Sequence, residues 1–481
     1  MTQPRSPIVA ILGHVDHGKT TLLDFIRKTS LTEKEHGGIT QSIGAYEIST
    51  GLKGYSTDKI TFIDTPGHEA FTKLRARGAT VADVALLIID AKDSLKPQTI
   101  ESISHIKAAN IPYIVVLNKI DLPEARPDKV KNDLLKYEVM VEGKGGSVPL
   151  AEISAKTGKG VPELLESILL LASDQQLTFD IDTDPEAYII ETKKDRRGSI
   201  ISAIIKNGVL KKGLTIYADS KKAVIRSLTN DKGQQVETVQ PSTPFELLGF
   251  SELPEVGSVI STKDLIAHAK AAPFEKRSIK MEDLFVKEEG RKLSVVLKTD
   301  NQGSLEAIKQ SVAENKNLVL VLAAIGDITK SDIFLAKATK SILIGFNIKP
   351  SNEVKDLSKQ EKITIKLYNI IYELLEELHE VADLIKEKEE IEKSIKGEAK
   401  VLASFVIESE KVFGVRINKG KANMGDTVML YRDNKPVAKT ILSSLRIHAK
   451  TVEEVKKDQE AGMLFDPAID IRVGDVIKFI L

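Results

Sequence analysis

The chain has 481 residues, more than one hydrophobic core organises, so several domains are expected. Its 69 basic and 69 acidic residues cancel, which excludes coating of nucleic acid by bulk charge, and without a single cysteine it forms neither a disulfide nor a thiolate metal site. The opening "MTQPRSPIVAIL" lacks the long apolar core of a signal peptide, and no run of 18 apolar residues follows, so a cytoplasmic chain with no membrane partner is expected.

The first predicted strand, "PIVAIL" at 7–12, enters "GHVDHGKT" (Gly13 to Thr20) and leaves into the helical "TTLLDFIRK", where Leu22, Leu23 and Ile26 share one face. Gly13, Gly18, Lys19 and Thr20 occupy the four fixed positions of the phosphate-loop pattern. The glycines let the backbone turn tightly and aim N–H groups at phosphate oxygens. Lys19 supplies a charge for the β- and γ-phosphates, and Thr20 a hydroxyl for Mg²⁺. The expected nucleotide-binding set in this segment is Gly13, Asp16, His17, Gly18, Lys19, Thr20 and Thr21. Loop packing, not metal binding, is the expected role of the imidazoles of His14 and His17.

The next segment, "EKEHGGITQSIGAYEI", carries Ile39 and Thr40 after a Gly-Gly pair. A threonine in such a loop is ordinarily a turn residue. Between a phosphate loop and Asp64, however, Thr40 suits a switch that reaches Mg²⁺ only when a γ-phosphate is present. "TFIDTPGHEAF" then places Asp64 at the end of an apolar strand, followed by Gly67 and His68. A carboxylate there holds Mg²⁺ through water, and the Gly67 N–H senses a γ-phosphate. "VVLNKIDLP" ends another strand with Asn118, Lys119 and Asp121; the Asp121 carboxylate can accept from the N1–H and 2-amino group of guanine, which adenine does not offer. "EISAKTG" brings Ser154, Ala155 and Lys156 over the base. Strand and helix continue to alternate through "VALLIIDAK" and "GVPELLESILLLAS", so residues 1–175 are expected to form a doubly wound α/β domain.

Past it, "EAYIIETKKD", "GSIISAIIKNG" and "PFELLGF" are short β-prone runs broken by turn residues, as in a small barrel at 176–275. The stretch 397–481 repeats this pattern. Gly208, Gly213 and Thr215 match Gly420, Gly425 and Thr427 at an offset of 212, and Leu228 and Gly257 match Leu445 and Gly474 at 217, as after a five-residue loop insertion. Between them, strands such as "KLSVVLKTD" and "SILIGFNI" alternate with helix-like stretches, giving an α/β/α sandwich at 285–367. Gly303 and Gly326 lack nucleotide-loop spacing and are expected to be turns. A linker helix at 368–396 follows, with Ile371, Leu374, Leu378, Val381 and Ile385 as an apolar stripe.

"GHVDHGKT", "GIT", "DTPGH", "NKID" and "SAK" resemble the signatures of the translational GTPases. "GHVDHGKTTLLD", "HGGITQSIGAYEI" and "FIDTPGHEAFTKLRARGA" resemble bacterial translation initiation factor two in particular. That resemblance implies GTP and GDP as ligands with Mg²⁺ held by Thr20, Thr40 and Asp64, and a monovalent cation beside Asp16. It implies that His68 orients the attacking water with Lys19 stabilising charge, and that Val15 and Ile39 form an apolar gate which His68 must pass. The implied partners of the monomeric chain are the 30S and 50S ribosomal subunits and formylmethionyl initiator tRNA, gripped by the last barrel through Arg446, His448, Glu460 and Gly462. A solvated loop acid is an equal reading of Glu460, and Ile447 and Ala461 stand where the family commonly has arginine and cysteine. Beside many members of that family, the resemblance implies a short form without their long N-terminal extension. The fold class expected is multidomain α/β and β: P-loop GTPase domain, β-barrel, α/β sandwich, linker helix and C-terminal β-barrel. The function implied is a translation initiation GTPase; the alternative is a GTP-gated ribosome-binding scaffold whose hydrolysis is incidental.

Overall fold

The computed structural model describes residues 2–28, 40–41, 43–264, 292–407, 410–433, 435–448 and 450–480. Two compact units divide between Leu378 and His379. The first begins with β1 (Ile8–Gly13), α1 (Lys19–Arg27), β2 (Gly44–Ser49), β3 (Lys59–Asp64), α2 (Thr72–Val81), β4 (Val84–Asp90), α3 (Pro97–Ala109), β5 (Tyr113–Asn118), α4 (Pro127–Leu135), β6 (Leu150–Glu152) and α5 (Val161–Asp174). The strands form one sheet in the order β2-β3-β1-β4-β5-β6, parallel throughout except for the antiparallel edge pair β2–β3. Every residue of β1 and β4 is buried, as continuous apolar runs covered by helices on both faces must be. The parallel register sends the carboxyl ends of β1, β3 and β5, with Gly13, Asp64 and Asn118, to one rim of the sheet, where ligands bind in such folds.

A barrel follows, built on β7 (Glu186–Asp195), β8 (Gly198–Asn207), β9 (Thr215–Ala218), β10 (Lys221–Val224), β11 (Ser227–Asn230), β12 (Gln235–Val236), β13 (Pro244–Leu248) and β14 (Val259–Ile260). Its main sheet has the order β12-β11-β13-β8-β7-β14, with β9 and β10 pairing separately. The sandwich is a parallel sheet, order β16-β15-β17-β18, from β15 (Leu293–Thr299), β16 (Leu318–Ile325), β17 (Ile342–Phe346) and β18 (Ile365–Tyr368). Its helices are α6 (Gln302–Glu314), α7 (Lys330–Thr339) and α8 (Asn352–Gln360).

Specific polar contacts tie these three bodies together. Lys206 of the barrel pairs with Asp83 at 3.4 Å, and Thr61 Oγ1 donates to the Ser242 carbonyl at 2.5 Å, joining the α/β domain to the barrel. Arg77 pairs with Glu306 at 2.8 Å, and Gly303 N–H donates to Glu191 Oε1 at 3.2 Å, joining the sandwich to both. Gly303 is therefore not the turn expected of it. It lies in the first turn of α6, where a Cβ would come within 2.8 Å of Glu191 Oε2 and 3.0 Å of Leu74, so close packing is what calls for glycine.

The helix α9 runs Ile371–Ser394, and Ile371, Leu374 and Leu378 of the stripe are buried. The second unit holds β19 (Ile395–Ile407), β20 (Glu410–Asn423), β21 (Thr427–Arg432), β22 (Lys435–Ile447), β23 (Glu454–Lys456), β24 (Glu460–Asp466) and β25 (Val476–Ile480). The order β19-β25-β21-β22-β24-β20 closes through the β19–β20 pair, so this barrel has no open edge along that path. The glycines matched between the two barrels share their backbone: φ is 65° and 67° at Gly208 and Gly420, 83° and 88° at Gly213 and Gly425, and 95° and 98° at Gly257 and Gly474.

Candidate functional site

The loop between β1 and α1 is shaped for an anion. Gly13 has φ 149°, and a Cβ there would lie 2.4 Å from the Ile88 carbonyl oxygen of β4. Gly18 caps α1 in the left-handed region, at φ 88°, and a Cβ would sit 2.3 Å from Asn118 Nδ2. The first turn of α1 has no acidic residue, and no side chain caps it among the described residues. Its N–H groups and the positive end of the helix dipole are thus left for a ligand. Lys19 Nζ donates to the carbonyls of Gly13 (3.0 Å) and His14 (2.7 Å). Burial pushes its pKa down to about 8 while Asp64 opposes that shift, so the ammonium stays charged at neutral pH.

Three oxygen donors converge beside it. Thr20 Oγ1 and Thr40 Oγ1 are 2.9 Å apart, and Thr40 Oγ1 donates to Asp64 Oδ2 at 3.2 Å. Two adjacent oxygens on an octahedral ion with bonds of about 2.1 Å are about 3 Å apart, so this hard-oxygen set fits Mg²⁺. Among the described residues no cluster of three or more His, Cys, Asp or Glu could hold a metal by itself. That suits an ion which takes its remaining ligands from water and phosphate.

On the base side, Asn118 holds two loops at once. Its Nδ2 donates to the His17 carbonyl at 2.9 Å, and its Oδ1 accepts from the N–H groups of Lys119 (2.8 Å) and Ala155 (2.9 Å). Lys119, at φ 63°, pairs with Asp90 at 2.7 Å. Asp121 and Lys156 are exposed, while Ser154 is buried, its Oγ accepting from the Thr157 N–H at 3.2 Å.

His68 opens the segment after β3. Its Nδ1 accepts from the Ala70 N–H at 2.9 Å, and its ring lies 4.2 Å from that of Tyr372 on α9. Burial holds its pKa below the usual imidazole value, helped by Arg75 and opposed by Glu69. A neutral ring whose Nδ1 accepts carries its proton on Nε2, so His68 is set to donate there. Arg75 is fully buried; it donates to the carbonyls of Pro66 (3.0 Å) and His68 and pairs bidentately with Glu101 at 2.7 and 2.8 Å.

A cavity of about 320 Å³ unites these parts. Of the residues expected to bind nucleotide or act on it, Val15, Asp16, Gly18, Lys19, Thr20, Thr21, Thr40, Gly67, His68 and Lys119 line it. Gly13 and Asp64 support it from behind through Lys19 and Thr40, and Asn118, Ser154 and Ala155 brace the adjoining loops. His17 packs inside the loop, with Nδ1 3.4 Å from the Ile88 carbonyl, and burial lowers its pKa to about 4. Ile39, the expected second half of the apolar gate, lies outside the described residues. Four contributors are not apparent from local sequence. Gln98 accepts from the Val15 N–H at 3.1 Å, Arg75 braces the His68 carbonyl, and Gln41 and Tyr372 link the site to the start of α9. Nothing in a lone arginine or glutamine on a helix flags such a role, and Tyr372 is remote in sequence.

The C-terminal barrel carries a separate groove of about 790 Å³. Leu402, Phe405 and Val412 make it apolar, and Arg446, His448, Glu460 and Gly462 all line it. Ile447, also on its wall, packs against the barrel core, and Ala461 is 6% exposed within that core. Both side chains contribute to the packing of the barrel.

A phosphate-cradling loop on a doubly wound sheet, with hydroxyl and carboxylate oxygens gathered beside it, defines a nucleotide-binding protein of the P-loop class. Residues 4–174 match the model of the elongation factor Tu GTP binding domain, 184–263 that of elongation factor G domain 2, and 270–379 that of translation-initiation factor 2. Translation initiation factor IF-2 of Aquifex aeolicus is 42% identical across 99% of this chain and 61% of that protein; the same factor of Thermoanaerobacter sp. is 39% identical across 99% of this chain and 71% of that one. GDP-bound aIF5B from Aeropyrum pernix superposes with a TM-score of 0.48 at 25% identity, covering 99% of this chain and 92% of that one. The chain belongs to the translation initiation factor IF-2 family. It spans about 61% and 56% of the length of two of its curated relatives.

Proposed function

We propose that this chain is a GTP hydrolase of translation initiation: it binds formylmethionyl initiator tRNA, promotes its placement on the 30S subunit and the joining of the 50S subunit, and hydrolyses GTP on the assembled ribosome. The observation that carries this reading is the convergence of Thr20, Thr40 and Asp64 next to a buried, charged Lys19. The placement of Thr40 beside Thr20 and Asp64 supports its role in the proposed switch, in which it would hold Mg²⁺ when a third phosphate is bound.

In the proposed reaction the loop N–H groups and Lys19 bind the phosphates and stabilise the charge that builds as water attacks in line. The Gly67 N–H senses the γ-phosphate. His68, donating from Nε2, orients the water. Bound Mg²⁺, held by Thr20 and Thr40 with Asp64 behind a water, would neutralise phosphate charge. Asp16, exposed at the cavity wall, is the loop carboxylate available to a monovalent cation beside the phosphates. Asn118 fixes the base loops so that Asp121 accepts from guanine, with Ser154, Ala155 and Lys156 closing over it. Val15 lines the cavity as one side of the gate, with Ile39 proposed as the other.

The barrel groove supports the tRNA part of the proposal. A formylated amine has no charge, and a methionine side chain is apolar, which suits a groove lined by Leu402, Phe405 and Val412 with Arg446, His448 and Glu460 at hand for polar contacts. The barrel's 14 Lys/Arg against 12 Asp/Glu leave little diffuse attraction for phosphate, so recognition rests on the blocked methionyl end. No helix among the described residues is long and apolar enough to cross a membrane. The proposed role places a monomer in the cytoplasm, where ribosomes are.

Multiple-turnover hydrolysis with 70S ribosomes tests the reading. Strong stimulation is expected, and His68→Ala should abolish it while leaving GTP affinity near the parent's. Equal turnover in parent and variant would defeat the assignment, and a parent that binds GTP without stimulation would favour a nucleotide-gated scaffold.

A further inference from the structure

The start of α9 forms part of the nucleotide site although its sequence lies some 300 residues away. Gln41, next to Thr40, grips that start at two points: its Nε2 donates to the Asn369 carbonyl at 2.8 Å, and its Oε1 accepts from the Ile371 N–H at 2.9 Å. The second bond satisfies one of the backbone donors that the first turn of a helix otherwise leaves open. Gln41 is 8% exposed and Ile371 fully buried, so the joint is held rigidly. One residue further along, Tyr372 presents its ring to His68 at a centroid distance of 4.2 Å and an interplanar angle of 60°, and both rings line the cavity that holds Lys19 and Thr40. Phe71 meets the same imidazole edge-on at 6.1 Å. His68 is therefore flanked by two aromatic rings and pinned through Nδ1 to the Ala70 amide.

We infer that Tyr372, set in place by the Gln41 grip on the start of α9, is a positioning residue for His68. The inference rests on the GTPase reading of the cavity. The Tyr372 ring lies against the His68 imidazole, restricts where it can turn and covers part of it from solvent. An imidazole allowed to swing by about 1 Å loses its aim at a water, and misplacement of that size costs orders of magnitude in rate. The tilted ring contact should also hold the imidazole neutral, since removing its cover lets solvent stabilise the protonated form. The charged groups around His68 are Glu69 and Arg75 on its own segment, Lys19, Lys119 and Asp16 on the cavity wall, and Glu314 of α6, so a change at Tyr372 alters none of them directly.

The test uses the full chain and three variants. Tyr372→Ala and Tyr372→Leu should each lower the single-turnover rate of GTP hydrolysis on 70S ribosomes about tenfold with the KM for GTP unchanged, whereas Tyr372→Phe, which keeps the aromatic face, should stay within about twofold of the parent. Because Tyr372 is 41% exposed, its truncation opens no sealed cavity, and the leucine variant retains apolar bulk should the alanine variant fold poorly. In parallel, an NMR titration of the His68 ring should move toward the ordinary imidazole value in the alanine and leucine variants and hold still in the phenylalanine variant. Parental rates together with an unmoved titration would overturn the inference. A parent that shows no ribosome-stimulated hydrolysis would sink the GTPase reading, and the titration would still judge the contact.

Discussion

Glu191 offers the sharpest quantitative test of how the first unit is held together. It lies in β7 and is 4% exposed. Its Oε1 accepts from the N–H groups of Thr192 (2.9 Å) and Gly303 (3.2 Å), and its Oε2 has no hydrogen-bond partner among the described residues. Burial, reinforced by Asp300, raises its pKa from 4.5 to about 7 against the opposing backbone hydrogen bonds and Arg77. A carboxyl that binds its proton more tightly when folded stabilises the fold less as pH rises: the cost grows between pH 4.5 and 7 and stands in full above that. That rise corresponds to about 3 kcal/mol. Glu191→Gln keeps the carbonyl acceptor for Thr192 and Gly303 and removes the charge. The variant should lie about 1 kcal/mol below the parent near pH 4.5, for an amide N–H without an acceptor, and exceed it at pH 8 by about 2 kcal/mol. Multidomain unfolding is seldom two-state, so the local readout is hydrogen exchange of the Gly303 amide at both pH values, with calorimetry alongside. Equal protection of Gly303 in parent and variant at pH 8 would refute the reasoning, since Glu191 would then carry its charge at no cost.

Three further outcomes follow from the two sites. A Cβ on Gly67 would lie 2.5 Å from Lys19 Nζ and 3.0 Å from the Val15 nitrogen, so Gly67→Ala should weaken GDP binding by at least about tenfold in a fluorescent-nucleotide titration; unchanged affinity would mean the lysine moves aside freely. Burial of His17 lowers its pKa from 6.5 to about 4, so the unfolded chain takes up that proton first and stability falls as pH drops from 6.5 to 4, by up to about 3 kcal/mol, a slope His17→Gln should flatten in denaturation curves across that window. Arg446 is exposed on the barrel groove, so Arg446→Ala should cost about 1–2 kcal/mol of formylmethionyl-tRNA affinity in filter binding while leaving thermal stability within about 0.5 kcal/mol.

Much of the fold was legible because its signals are local. Apolar runs ending in glycine, aspartate or asparagine announce the strand ends at Gly13, Asp64 and Asn118, and parallel pairing brings ends of the same sense to one rim. The barrel repeat was legible because a left-handed turn selects glycine, so three matched pairs preserve both residue and backbone. Less local features were not. Gly303 reads as a turn by composition, yet it is helical and small because Glu191 and Leu74 press against it, a fact of tertiary approach. The apolar stripe of α9 marks Ile371 and Leu374 for burial, but periodicity says nothing of Tyr372 on the other face meeting His68.

The nucleotide cavity thus has two halves of different origin. One is internal to the α/β domain: the loop after β1, the lysine bonded to its own loop carbonyls, and the asparagine that locks the base loops. These contacts connect neighbouring strand ends of one sheet and depend on nothing beyond it, so they suit affinity for a nucleotide in any state. The other half holds Thr40 and His68, the residues proposed to respond to a third phosphate, and it leans on distant chain. Gln41 beside Thr40 is bonded to Asn369 and Ile371, and His68 lies against Tyr372. Displacing the start of α9 would therefore disturb hydrolysis before it disturbed binding. Under the proposed function that division would let GTP be held before it is spent, because the groups for binding and the groups for reaction are fixed by different parts of the fold.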